Sequence, residues 1–202
     1  MADFDSKAKK WDEVPGRVER AQAVAAAIRE QVALSRAMSA LEYGCGTGLL
    51  SFALQAELGQ ITLADSSSGM LEVLRQKIAH GGMPNMTPVQ LDLAVDPVPA
   101  ERFDLIYTLM TLHHIPDTTT ILGCFHTLLQ PGGILCIADL DKEDGSFHSH
   151  EVDFDGHNGF DRTELSVGLE QAGFTNICFS TCYEMIKDER KYPLFLAVAE
   201  KI

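Results

Sequence analysis

Basic residues are scarce in this sequence: 16 Lys and Arg stand against 29 Asp and Glu, for a formal net charge of -13. Such a surface repels phosphate backbones and anionic lipid heads, so nucleic acid and membranes are not expected partners. Long apolar runs are missing too. No stretch reaches the roughly 18 residues of a membrane helix, and Met1-Ala2-Asp3-Phe4-Asp5 has neither the basic start nor the apolar core of a signal peptide. A soluble, cytoplasmic protein is expected. There is no C-x-x-C: Cys45, Cys124, Cys136, Cys178 and Cys182 are odd in number and scattered, which fits buried thiols in a reducing compartment. Cys178 and Cys182 fall on one face of a strand, a poor geometry for a bridge. No internal repeat or low-complexity tract interrupts the chain. Its 202 residues, 46% of them hydrophobic, suffice for one large core and fall short of two, so a single domain over 1–202 is expected.

What is present centres on Leu41-Glu42-Tyr43-Gly44-Cys45-Gly46-Thr47-Gly48-Leu49-Leu50. Glycines at alternate positions let the backbone turn tightly and approach a bound molecule. A short apolar segment (38–43) precedes them, and Leu49, Leu50, Phe52, Ala53, Leu54 and Leu58 follow with helical character. That is the strand, turn and helix setting of a nucleotide loop. A dinucleotide fingerprint would need glycine at 49; with Leu49 there, a pyrophosphate is poorly served. Glu42 would repel phosphate and attract a cationic amine. A ligand with an ammonium and a sulfonium suits this loop better.

Glu42-Tyr43-Gly44-Cys45-Gly46-Thr47-Gly48 matches E/D-x-G-x-G-x-G, the first motif of the class I S-adenosylmethionine (SAM)-dependent methyltransferases. The chain resembles that family, in its small-molecule branch, from about Asp3 to the C-terminus. F-D-L-I from Phe103, L-H-H-I-P-D from Leu112 and L-x-P-G-G-x-L from Leu129 follow in order; the stretch between Asp141 and Gly159 is the least typical. The resemblance implies an α/β fold: a Rossmann-like, seven-stranded, mostly parallel sheet with helices on both faces and a C-terminal antiparallel β-hairpin. It implies S-adenosyl-L-methionine as cofactor, S-adenosyl-L-homocysteine (SAH) as product, and methyl transfer to an unidentified small molecule. The alternative is a SAM- or SAH-binding module without catalysis, acting as a partner subunit or sensor. A monomer or homodimer is expected.

The same resemblance assigns the cofactor set. Glu42, the backbone around Gly44, Cys45, Gly46 and Gly48, and Thr108 seat the methionyl part. Asp65 ends an apolar strand (61–65) about 20 residues past the glycines, where ribose hydroxyls lie. Ser66 stands beside it, and the run Ser66 to Ser68 offers helix caps of its own. Met70 resembles the methionine that packs near adenine, or else serves the core. A third strand (89–93) carries Asp92, which accepts from the adenine amine, and Leu93, whose amide meets a ring nitrogen. Past the fourth strand (103–109), His113 or His114 could act as general base. Adjacent histidines cannot share one helix face, so at least one of them is structural.

Residues 1–36 are read as an N-terminal lid and helix, with Phe4 and Trp11 either folding over the site or anchoring the terminus. The helix is expected over 17–36, from Val18, Ala21, Ala25, Ile28 and Val32. Residues 141–160, after a fifth strand (134–140), are read as an active-site loop offering Phe147, His148, His150 and His157 to substrate, or as a solvated loop. No metal is expected: the loop histidines show no H-x-x-E-H and no i, i+4 pair. Asp161 with Glu164 reads as a capping box, and two strands near 176–186 and 192–199 close the chain.

Overall fold

The computed structural model describes residues 4–150 and 154–202. The expectations for 1–36 and 141–160 therefore extend over residues 1–3 and 151–153, which lie outside the described residues. A short helix α1 (Phe4–Lys7) and a 3-10 turn (Ala8–Glu13) lead into α2 (Arg17–Gln31), β1 (Ala40–Tyr43), α3 (Leu49–Leu54), β2 (Ile61–Asp65), α4 (Ser68–Gly81) and β3 (Met86–Gln90). Then come β4 (Phe103–Leu109), a 3-10 turn (Leu112–His114), α5 (Thr118–Leu128), β5 (Leu129–Leu140), α6 (Arg162–Gln171), β6 (Phe174–Lys187) and β7 (Arg190–Lys201). The sheet has seven strands in the order β3-β2-β1-β4-β5-β7-β6. β1 to β5 are parallel, and β7 runs antiparallel to both β5 and β6. From β1 the chain builds outward to β3, then returns to the other side with β4. At such a reversal the connecting loops diverge and leave a crevice beyond the carboxyl ends of β1 and β4.

Helices cover both faces, as the apolar run of β5 requires of a central strand. On one face Ile121, Phe125 and Leu128 of α5 and Leu165 and Leu169 of α6 pack on Leu41, Ile106, Leu135 and Phe195. On the other, Val24 and Ile28 of α2, Leu50 and Leu54 of α3, and Leu71 and Leu74 of α4 pack on Leu63, Leu105, Tyr107 and Leu196. Each such aliphatic side chain contributes about 1.5–3 kcal/mol by leaving water. No helix among the described residues is long and apolar enough to cross a membrane.

Several expected boundaries shift for physical reasons. α2 stops at Gln31, short of 36, and Val18 is 42% exposed while Val24 takes its place in the core. β3 spans 86–90, earlier than 89–93. Pro88 hides it, yet β3 is an edge strand, where a proline need not break a ladder bond. Leu91 to Leu93 instead leave the sheet in a turn, with the amides of Val95 and Asp96 donating to the Asp92 carbonyl. β5 begins at Leu129, directly after α5, and its pairing with β4 shifts register between Phe103 and Leu105. All five cysteines are free, and Cys178 is exposed where a buried thiol was expected. The capping box holds in part: the Asp161 carboxylate accepts from the amides of Thr163 and Glu164.

Candidate active site

The glycine loop joins β1 to α3 at the carboxyl crest, and its geometry explains its composition. Gly44 has φ +69°, and a Cβ there would stand 2.2 Å from Thr111 Cγ2. Gly48, at φ +80°, caps α3, where a Cβ would meet Leu74 Cδ1 at 2.7 Å. The Cys45 amide donates to the Ala64 carbonyl, tying the loop to β2; its thiol is buried, and burial pushes it well above the ordinary range. Glu42 departs from expectation. It is 2% exposed, and its carboxylate accepts from the Ser51 amide and hydroxyl, with Tyr107 Oη 2.6 Å from that same hydroxyl. Burial pushes Glu42 up to about 8. Its place is beneath the loop, bracing the turn into α3.

Asp65 bridges two loops. One carboxylate oxygen accepts from the Gly46 amide at 2.7 Å and the other from the Ser67 amide at 2.8 Å. An ionised carboxylate has about four acceptor sites, so capacity for hydroxyl donors is left. Burial raises its pKa, with the two amides opposing. Ser66 is exposed, and Ser67 supplies the α4 cap, accepting from the Met70 amide. Met70 is 1% exposed; its sulfur would lie 4.0 Å from a Cβ on Gly46, so it is core directly under the loop. Asp92 lies at the crest in the turn after β3 and accepts from the Ala94 amide. Leu93 corrects its expectation: its amide already donates to Tyr43 Oη at 3.0 Å and its side chain is buried, so it is not open to a purine. Thr108, near the end of β4, is 1% exposed, and its hydroxyl has no partner among the described residues.

The N-terminal segment folds across this crest. Asp5 accepts from Ser67 Oγ and from the Gly69 amide, tying α1 to the start of α4. Asp12 meets Lys77 Nζ at 2.6 Å and Thr47 Oγ1 at 2.5 Å, while Lys77 also donates to the Thr47 carbonyl. Trp11 thereby lies over the glycines, its Nε1 3.8 Å from a Cβ built on Gly46. Phe4 sets its ring edge against both Trp11 and His114.

Beyond β4 the loop and the histidines meet. His113 is wholly buried, and its Nδ1 lies 2.5 Å from Asp139 Oδ1 at the end of β5. Burial alone would raise the Asp139 carboxyl, but the His113 ring and the amides of Leu140 and His113 bring it below the ordinary range. His114, partly exposed, is pushed down to about 3 by burial and by the neighbouring rings of His113 and His148, which makes it a poor proton acceptor. His148 comes from the loop and stacks on Phe154 at 3.9 Å. The other expected substrate residues have partners of their own, although Phe147 also sets its ring edge against His113 and His148. Phe147 packs with Leu140, Tyr192 and Leu194 in a small core of its own. His150 is exposed, 3.6 Å from Asp188. His157 pins the loop down, its amide donating to the His113 carbonyl and its Nε2 to the carbonyl of Ile115. The loop's two ends also pair, Lys142 with Phe160 and Glu143 with Asn158. A depression lined by Arg36, Gln55, Gly59 and Asn85 lies at the opposite end of the strands, where the Asn85 amide ties carbonyls of Gln55 and Gly59 together.

The model of a family described as a methyltransferase domain matches residues 17–178, most of the chain and every strand from β1 to β5. The chain belongs to that family, in its class I, SAM-dependent form. Among relatives of this methyltransferase, the ubiquinone/menaquinone biosynthesis C-methyltransferase of Pseudoalteromonas translucida is 33% identical over 122 residues, 58% of this chain and 49% of that protein. The ubiquinone biosynthesis O-methyltransferase of Marinobacter nauticus is 29% identical over 123 residues, 59% of this chain and 51% of that one. The chain thus spans about half the length of the curated relatives it matches. A SAM-dependent methyltransferase of Aquifex aeolicus shares the fold at a TM-score of 0.73 and 21% identity, with 98% of each chain covered.

Sequence reasoning missed Ser51 and Tyr107, which hold Glu42, and Thr111, which packs on Gly44. It missed Asp12 and Lys77 as the clasp over the loop, and Asp139 behind His113. Only Asp139 carried a legible signal: it ends an apolar strand with an acid, as Asp65 does.

Proposed function

We propose that this methyltransferase transfers the sulfonium methyl of SAM to a small-molecule acceptor held beyond the carboxyl ends of β4 and β5. The observation that supports this most is the convergence of the glycine loop, Asp65 and Asp92 on one crest, at the reversal in strand order. The backbone of 44–48 and the Thr108 hydroxyl take the methionyl part. Asp65 accepts from the ribose hydroxyls while its amide partners hold it still, and Asp92 accepts from the adenine amine. Glu42 acts through Ser51, by fixing the turn. When bound, SAM would supply an electrophilic methyl carbon to a lone pair of the acceptor, the C–S electron pair going to sulfur to give SAH and any proton displaced from the acceptor passing to solvent. Alignment of the two reactants supplies much of the acceleration. Relatives named as a C-methyltransferase of ubiquinone/menaquinone biosynthesis and an O-methyltransferase of ubiquinone biosynthesis support a small organic nucleophile as the acceptor class, and five free thiols fit work in a reducing cytoplasm.

Calorimetry with SAM, SAH and NAD, followed by turnover against a panel of small phenols, amines, thiols and activated carbon acids, tests the reading. SAM binding with methyl transfer supports it. Tight SAM binding with no turnover on any acceptor favours the sensor or partner-module reading. Saturation by NAD with no heat from SAM overturns both.

A further inference from the structure

We propose that His113, His114 and His148 form a site for a divalent first-row transition ion, with Asp139 as the outer partner that aims His113. Each of the three histidines offers one ring nitrogen, and these atoms lie within 4.8 Å of one another. A tetrahedral ion with bonds of about 2.0–2.1 Å spaces its ligands at roughly 3.3 Å, so rotations about the side-chain torsions close the set. Two features argue for an ion over a packed aromatic cluster.

The first is the state of His113. Its Nδ1 is taken by Asp139, whose own position is held by the amides of His113 and Leu140. A carboxylate on one ring nitrogen is what orients a metal-binding histidine and fixes its tautomer. The other nitrogen, Nε2, is buried and has no partner among the described residues, and burying a polar atom without a partner is costly unless something meets it.

The second is the surroundings. Ring centroids are 4.1 Å apart for His113 and His114, and 5.2 Å from His148 to each. Phe154 stacks on His148, and Phe4 sets its edge on His114. An apolar shell of this kind excludes water and strengthens the pull between an ion and its ligands. Imidazole donors select zinc, cobalt, nickel or copper over magnesium and calcium. The pattern is invisible to a motif search because two ligands are neighbours on a 3-10 turn and the third arrives from the loop after β5.

Three ligands leave a coordination position for a hydroxyl, thiol or amine of the acceptor. That use rests on the methyl-transfer reading; ion binding does not. Chelator-stripped protein is therefore titrated with Co2+ and then Zn2+ in the absence of SAM. One equivalent of cobalt should bind with visible d–d bands and be displaced by zinc. Affinity should fall at least about tenfold in His148→Ala and about 10–100-fold in Asp139→Asn, the range for outer-shell changes. SAH affinity of His148→Ala should match the wild type. His114→Ala, at the least buried ring, is a second variant, and each is checked for cooperative unfolding. The site is overturned if the wild type takes up no cobalt, if a thiolate charge-transfer band places the ion on cysteine, or if both histidine variants bind as tightly as the parent. Cobalt binding by a wild type that ignores SAH would overturn the cofactor reading and leave the ion site standing.

Discussion

Glu42 and Asp65 are both acids at strand ends beside the glycine loop, yet they do different work because their surroundings differ. Glu42 is sealed against Ser51 and pushed up to about 8 from 4.5. The folded chain therefore keeps a proton that the unfolded chain has released. Its contribution is fullest below about pH 4.5 and is lost as pH climbs through 8. Urea unfolding at about pH 5 and about pH 8.5 should show the wild type losing on the order of 3–5 kcal/mol more than Glu42→Gln across that interval. Equal losses would clear Glu42 as the source. Asp65→Ala should weaken SAM binding by about 1–3 kcal/mol, the cost of unmatched polar partners; unchanged calorimetric affinity would remove Asp65 from the ribose subsite. At this scale the sequence marks acids at strand ends but not the direction in which each looks. That depends on Ser51, Tyr107 and Gly46, which meet them only after the chain has turned.

The N-terminal segment acts as an element only through its clasps. α1 and the turn after it are too short to hold themselves, and they stay on the crest through Asp5 on the α4 start and Asp12 on Lys77 and Thr47. Asp12→Asn should speed amide exchange across 4–13 by about fivefold, corresponding to ~1 kcal/mol, and leave α2 unaffected. Exchange-mass spectrometry that finds no difference would mean Trp11 and Phe4 suffice. Elements with clean periodicity were legible: the β2 range of 61–65 and the β4 range of 103–109 stand as their apolar runs suggest. β3 was displaced because an edge strand is mostly solvated and shows no alternation, and Pro88 reads as a breaker until the edge is known. The loop's histidines could be seen, but not that His157 would serve as a pin and His148 as a neighbour of His113.

For the whole molecule, stability depends on the seam between the parallel part of the sheet and the hairpin. Phe195 of β7 is wholly buried there and sets its ring against Phe160 and Phe179. Phe195→Ala should cost about 3–5 kcal/mol, read as a lower urea midpoint; a loss under about 1 kcal/mol would show that stability does not depend on this seam. The overall architecture was legible from the resemblance, while the position of β7 inside the sheet, rather than at its rim, has no signature in a one-dimensional pattern.

That position carries a cost during synthesis. β6 touches the rest of the sheet only through the strand made after it. Until β7 has been made and has left the ribosome, β5 presents a bare row of amides and carbonyls, and β6 has no strand to pair with. A chain terminated after Glu189 should therefore be recovered in inclusion bodies rather than as a smaller folded protein, and soluble, monodisperse material from it would mean that the sheet can close without its last strand.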